Sequence, residues 1–347
     1  MRLMNLIHHQ YQTVSVVGMG KNAGKTVTLN RLIQEAAEQE IILGLTSTGR
    51  DGEKQDIVTM TEKPRIYVYK ETIVATAQAT FLASGAKLEI LEVTDCETPM
   101  GPVIIARVKS EGLMELAGPE TNHQIRDIAA KMCAYGAEIV IVDGAINRKT
   151  AASPGITQAT ILATGAVVSR NMQHVFLETA HQVDLFNMKG IQDENIKALA
   201  QKIFAEKGYA IIDAEGMLRM LDIPTALNSG RMIGGVLEEK STYVLISGSL
   251  VYKTLEDIIA VTPYYKQVTF IIQDATKLFI SAKEWILLKR RGIQIAVMDE
   301  IHTLAVTVNP YAPQGYHFQP EVFRDGIRAQ LGGLPVVDLM LEDEIYD

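Results

Sequence analysis

Along the chain, short unbroken apolar runs alternate with longer stretches whose apolar residues recur every three to four positions. The first run, residues 13–17, is uniformly β-prone and stops at Gly18. After a glycine-rich turn to Gly24, Leu29, Leu32 and Ile33 fall on one face, so the spacing predicts a helix over 25–39. Strands are predicted at 41–45, 65–69, 88–93 and 103–109, with a β pattern from 112 to 117. A short helix is predicted over 73–85, closing at Gly85. In residues 121–135, Ile125, Ile128, Ala129, Met132 and Cys133 stand at helical spacing, and Gly136 ends the pattern. Ile139–Val142 is a buried-type strand delivering Asp143, and residues 159–168 are apolar and close the unit.

Helical patterns follow at 170–188 and 192–207, and Glu206-Lys207-Gly208 marks a boundary. Beyond it the alternation restarts. Strands at 209–212, 243–247, 268–273, 293–298 and 304–308 are interleaved with helices running to Ala260 and over 282–291. Strand–helix alternation predicts an α/β fold with a parallel sheet flanked by helices over residues 1–206, and a second, smaller α/β domain over 207–347.

Composition fits this organisation. A chain of 347 residues, 47% hydrophobic and 21% charged, has the length for two domains and the apolar content for sizeable cores. A net charge of −8 argues against a general nucleic-acid binder. Cys96 and Cys133 lack metal-ligand spacing and suit a reducing compartment. The N-terminus lacks a signal-peptide pattern, and no apolar run reaches the roughly 18 residues that span a bilayer. A cytoplasmic protein without nucleic-acid or membrane partners is expected. His8-His9 read as neighbours on opposite faces of a strand, and His174 with His181 as part of a polar helical stripe, rather than as metal pairs. Trp285 reads as a core residue.

The candidate chemistry lies at strand ends. Strand, Gly-rich turn, Gly24-Lys25-Thr26 and helix together make a phosphate-binding loop, the signature of a P-loop NTPase. Small residues let backbone amides approach phosphate oxygens, and the helix N-terminus adds its own amides and positive dipole end. Gly20, Lys21, Asn22, Ala23, Gly24, Lys25, Thr26 and Val27 form the expected cradle. Lys25 reaches the terminal phosphates, and the Thr26 hydroxyl ligates Mg²⁺. The loop departs from the usual spacing, with five residues rather than four between Gly18 and Gly24. Asp143, at the end of an apolar strand and before a Gly, suits a second Mg²⁺ contact. The 46–53 loop follows another strand end, where ligands sit in open α/β sheets. In it, Asp51 and Glu53 suit metal or water and Arg50 suits phosphate. A plain strand–helix turn and a solvated acidic turn are the bland alternatives. Residues 147–154, with Arg148, Lys149, Thr150 and Ser153, read as a mobile polar loop over the site. Asp274–Lys277 and Asn309–Gly315 read as sharing an edge of the second domain. The guanine-reading Asn-Lys-x-Asp element is absent, which favours ATP over GTP.

The long Gly18–Thr26 loop, Lys63-Pro64 and the Asp143-Gly144 strand end resemble the dethiobiotin-synthetase-like branch of P-loop proteins. That branch carries Glu-Gly and further glycine where this chain has Asp143-Gly144, and it has no counterpart of the second half. A longer set of motifs is similar to ATPase subunits of lysine 5,6-aminomutase reactivases: residues 17–26, Thr46 to Glu53, Val142 to Arg148, and Thr307-Val308-Asn309-Pro310. That resemblance implies an Mg²⁺-dependent ATPase that helps to expel damaged cobalamin from an adenosylcobalamin-dependent mutase. Lys25, Asp51 and Asp143 would be its catalytic residues, and Thr26, Asp51 and Asp143 its metal contacts. It implies a partner reactivase subunit and a mutase as binding partners, with a homodimer left open. No Asp-x-His-x-x-Gly cobalamin motif occurs here. An ATP-dependent ligase or kinase acting on a small carboxylate or amine, and a non-catalytic nucleotide sensor, are the alternatives.

Overall fold

The structure, a computed structural model, describes residues 2–48, 65–144, 149–223 and 228–343. In chain order its first part comprises β1 (Thr13–Gly18), α1 (Lys25–Glu38), β2 (Leu43–Ser47), β3 (Ile66–Val68), β4 (Ile73–Ala77), α2 (Gln78–Leu82), β5 (Lys87–Val93), β6 (Val103–Ser110) and β7 (Gly112–Met114). Then come α3 (Asn122–Ala134), β8 (Ile139–Asp143), β9 (Ala159–Gly165), α4 (Met172–Phe186), α5 (Glu194–Ala205), β10 (Tyr209–Asp213), β11 (Leu218–Leu221), α6 (Ser229–Val236) and β12 (Ser241–Ile246). The last elements are β13 (Leu250–Val251), α7 (Tyr252–Val261), β14 (Thr269–Ile272), β15 (Leu278–Phe279), α8 (Ala282–Arg291), β16 (Gln294–Val297), β17 (Thr303–Asn309), α9 (Pro320–Gln330), β18 (Val336–Asp338) and α10 (Leu339–Asp343).

The chain divides into two compact units, residues 1–180 with 302–347, and residues 181–301. In the first, the described strands build a nine-stranded sheet in the order β18-β17-β9-β1-β8-β2-β4-β6-β5. Every pairing from β18 through β4 is parallel, and β6 and β5 complete the sheet in antiparallel pairings. Its core strands are buried along nearly their whole length because both faces are covered, and small polar residues such as Ser15, Thr46 and Thr160 are buried with the apolar ones. Leu29, Leu32 and Ile33 of α1 pack with Val14 and Val16 on one face. Ile128, Ala129 and Met132 of α3 pack with Val140, Ile73 and Ile105 on the other. Thr121 and Gln124 form a capping box that starts α3.

Several features differ from the sequence reading, three of them in the layout of strands and turns. Residues 73–77 are a fully buried strand, and only Gln78–Leu82 is helical. The run Ile-Val-Ala-Thr-Ala has no polar side to show period two, since β4 is buried on both faces. β17, assigned by sequence to the second domain, lies in the first unit between β9 and β18, so the units divide differently from a single break at 206/207. His8 and His9 stand in a turn rather than a strand, with rings stacked at 3.7 Å. The positive φ of His9, 66°, lets adjacent side chains meet there.

The second unit carries a five-stranded sheet, β11-β10-β12-β14-β16, in which β12, β14 and β16 are parallel. The helix predicted over 282–291 is α8 itself, capped by a Ser281–Glu284 box and ended by left-handed Gly292. Trp285 is 8% exposed and donates its indole N–H to Asp184 at 2.8 Å, which fits the core reading. Asp274, at the carboxyl end of β14, is buried and caps the next turn, accepting from the Thr276 amide at 2.8 Å. Burial pushes the neighbouring Asp299 carboxyl above the usual carboxylate range, and Asp274 adds to that shift against the opposing hydrogen bond from Gln273 and the charge of Lys197. An acid raised in the folded state loses stability as pH climbs through its raised value. Asp299→Asn, which keeps an acceptor for Gln273, is therefore expected to melt above wild type at pH 7. The gap should close as the pH falls below the ordinary carboxylate range, as read by thermal unfolding at a series of pH values.

Candidate functional site

The first unit gathers its chemistry at the carboxyl edge of the parallel strands, where open α/β sheets bind ligands. Register brings three strand ends together there: Val16 lies opposite Asp143 of β8, and Gly18 lies opposite Ala163 of β9. The chain then leaves β1 as a loop anchored by the Met19 amide, which donates to the Ala163 carbonyl at 2.9 Å. Asn22 and Gly24 both adopt left-handed backbone, with φ of 62° and 104°. Asparagine and glycine are the residues that tolerate this conformation. Gly24 is the N-cap of α1, and Lys25 is its first residue.

The Lys25 side chain folds back across Gly18. A methyl on Gly18 would lie 2.8 Å and 2.9 Å from Lys25 Cγ and Cδ, so glycine is required for the lysine to pass. The ammonium donates to the Gly144 carbonyl and stands 4.0 Å from Asp143 Oδ1. Lys25 is 14% exposed and Asp143 34%, so a mostly buried cation faces a partly solvated carboxylate. Asp143 is fixed through its backbone: its carbonyl accepts from Thr48 N at 3.0 Å and Ser47 Oγ at 3.3 Å. Next to it, Gly144 N donates to Val16 O at 3.0 Å. Thr26 and Val27 continue the first turn of α1, whose amides point out of the helix end. Beside that turn lies a small cleft lined by residues including Gly24, Val27, Thr28, Asn309 and Met340.

Lys25, Asp143, Thr26 and the Gly20–Gly24 backbone thus meet at one edge. A cation, helix-end amides and an adjacent carboxylate are the donor set for a polyphosphate with a divalent metal. Asp51, Arg50 and Glu53 lie outside the described residues, as do Lys63, Pro64 and Arg148. Of the expected polar loop at 147–154, residues 149–152 form a 3-10 turn, and Ala151, Ala152 and Ser153 are buried. Ala151 packs where a methyl on Gly144 would come within 3.1 Å of its Cβ, so this part underlies the site rather than covering it. Asn309–Gly315 does not share a sheet with Asp274–Lys277. It follows β17 in the first unit, whereas Asp274 follows β14 in the second.

Three residues went unassigned to this site in the sequence: Thr28, Thr307 and Asn309. Thr28 and Thr307 share a buried hydroxyl contact of 2.7 Å. Asn309 donates to the Asn22 carbonyl at 3.2 Å. The available signal was polar residues at a strand end, Thr307-Val308-Asn309-Pro310, read with the wrong sheet. Elsewhere, the His181 Nε2 pairs with the Ile280 carbonyl at 2.8 Å, while the exposed His174 faces Glu178 at 3.5 Å. Among the described residues, no group of three or more His, Cys, Asp or Glu side chains is arranged to hold a metal. Burial pushes the thiols of Cys96 and Cys133 up, away from thiolate reactivity. No helix among the described residues is long and apolar enough to cross a membrane.

Compared with protein-family models and with curated proteins, the chain matches none.

Proposed function

We propose that the Gly18–Thr26 loop binds the phosphates of Mg²⁺–ATP and that this chain hydrolyses ATP as the motor subunit of a reactivase for an adenosylcobalamin-dependent lysine 5,6-aminomutase. The observation that carries the nucleotide reading is the Lys25 ammonium folded over Gly18 onto Gly144 O, 4.0 Å from Asp143, at the carboxyl edge of a parallel sheet. Bound Mg²⁺–ATP supplies the transferable phosphoryl group. Lys25 exchanges the Gly144 carbonyl for β- and γ-phosphate oxygens. Thr26 Oγ1 and the Asp143 carboxylate would hold a Mg²⁺ ion, which would supply positive charge against the phosphate oxygens, and Asp51 would join that shell or orient the attacking water. The loop backbone from Gly20 to Val27 lines the phosphates. The missing guanine element favours adenine.

The biological half of the proposal rests on the motif resemblance. ATP drives release of a damaged cofactor only if its binding and hydrolysis favour different conformations of the complex. The 181–301 unit is the surface we assign to the partner subunit or the mutase. Two measurements test this. ATP titrated calorimetrically into the protein should bind in a Mg²⁺-strengthened manner, and Asp143→Asn should cut hydrolysis by about a hundredfold or more while sparing metal-free ATP binding. ATP-driven recovery of a cyanocobalamin-poisoned aminomutase should require this chain. No recovery with every partner subunit present would remove the reactivase role. Binding without turnover would make the chain a sensor, and a phosphorylated or cyclised small molecule formed with ADP would make it a ligase or kinase.

A further inference from the structure

The loop that the nucleotide reading depends on is tied down by a strand far along the chain, through a contact that spans 287 residues. Asn309, the last residue of β17, donates through Nδ2 to the Asn22 carbonyl at 3.2 Å, and its own Oδ1 accepts from the Tyr311 amide at 3.1 Å. Both polar ends of the side chain are therefore committed. Its backbone pairs with Gly165 at the end of β9, and both Gly165 and Gly24 lie close against Asn309. A methyl on Gly165 would lie 2.6 Å from the Asn309 carbonyl, and one on Gly24 would lie 3.2 Å from Asn309 Cβ. One turn into α1, Thr28 Oγ1 donates to the Gly24 carbonyl at 3.2 Å and meets Thr307 Oγ1 at 2.7 Å. A hydroxyl has one proton, so with Thr28 donating to Gly24, Thr307 is the donor to Thr28.

Two loop carbonyls, Asn22 and Gly24, are thus held, the first by a β17 side chain and the second by Thr28, which β17 backs in turn. In a trans peptide the N–H points opposite to the C=O. Holding the Gly24 carbonyl along α1 aims the Lys25 amide out of the helix end. Tying the Asn22 carbonyl to β17 keeps an oxygen away from the place a phosphate would take. Untethered, Asn22 would be free to leave its left-handed conformation, which a residue with a side chain adopts less readily than glycine does.

We propose that Asn309, with the Thr307–Thr28 hydroxyl pair, is a positioning residue that presets the loop for polyphosphate and does not read the base. This rests on the nucleotide reading above. The test compares wild type with Asn309→Ala, Thr307→Val and Thr307→Ser. Affinities for ATP and for inorganic tripolyphosphate are measured by calorimetry, and hydrogen exchange is followed over residues 19–28 in ligand-free protein. Asn309→Ala should weaken both ligands by the same factor, about tenfold, and speed exchange across the loop. Thr307→Val should act in the same direction, and Thr307→Ser, which restores the hydroxyl, should return to within about twofold of wild type. A loss confined to ATP would make Asn309 a base contact and overturn the proposal. So would unchanged affinities and exchange in a wild type that binds ATP. A wild type that binds neither ligand overturns the nucleotide reading, and the positioning role with it. Should Asn309→Ala fail to fold, the Thr307 pair decides the same question.

Discussion

Lys25→Ala is expected to weaken ATP binding by about two orders of magnitude while leaving the protein folded. The loss has a simple source. Each hydrogen bond to a charged group contributes roughly 1.5–3 kcal/mol, and an ammonium between β- and γ-phosphates makes two or more. Even the lower value for two bonds, about 3 kcal/mol, corresponds to more than a hundredfold in affinity. The fold has less at stake. The lysine lies over Gly18, donates to the Gly144 carbonyl and stands 4.0 Å from Asp143. Asp143 is one-third exposed and can turn to water when the ammonium is gone, so the pair itself is worth no more than about 1 kcal/mol. Calorimetric titration beside a thermal melt separates the two effects. An affinity equal to that of wild type, in a protein that melts normally, would mean that Gly18–Thr26 is an ordinary strand–helix turn.

How far the sequence exposed this site depends on the range of the contacts involved. The strand, turn and helix of residues 13–38 are local, and their apolar spacing announced them. Asp143 was also legible, but only in company: apolar runs ending in Asp-Gly are common in plain α/β sheets, and the Lys25-Thr26 pattern is what singled this one out. The Asp143–Lys25 approach is long-range, yet it follows once β1 and β8 are neighbours, which parallel α/β topology encourages. β17 is different. Its run from Thr303 to Asn309 looks like any other apolar strand, and chain order places it after the second unit. Only pairing in space, Val306 with Leu162 of β9 and with Val336 of β18, returns it to the first sheet. Asn309 and Thr307 were therefore visible as residues and unreadable as neighbours of the loop. β4 failed for a related reason, since a strand buried on both faces shows no alternation, and alanine and threonine left its length open to a helical reading.

Gly118→Ala should be among the most destabilising single substitutions in the first unit, and it should reach Asp143 through the backbone. A methyl at Gly118 would lie 1.8 Å from the Ser47 carbonyl oxygen, 2.8 Å from its carbon and 3.0 Å from Thr46 Oγ1. The obstacle is main chain, so no rotamer change relieves it. Gly118 cannot retreat either. Ala117 is pinned on both sides, its carbonyl accepting from the Ala77 amide at 2.7 Å and its amide donating to Thr76 Oγ1 at 2.9 Å. Ser47 must move instead. Ser47 is the last residue of β2 and pairs with Asp143, whose carbonyl it and Thr48 both hold. Overpacking a rigid core site costs typically 1–3 kcal/mol, and a backbone clash this close belongs at the top of that range or above it. At about 2–4 °C per kcal/mol for a unit of this size, the midpoint should fall by roughly 6–12 °C. Gly136→Ala is the matched control. Its φ is 104° and nothing stands within 4 Å of the added carbon, so it carries only the left-handed backbone cost of roughly 1–2 kcal/mol. If both variants lose the same small amount, the cost at residue 118 is not the contact with Ser47. If Gly118→Ala alone falls steeply and its ATPase falls further than its stability loss explains, the strand end that carries Asp143 is set by the close approach of residue 118.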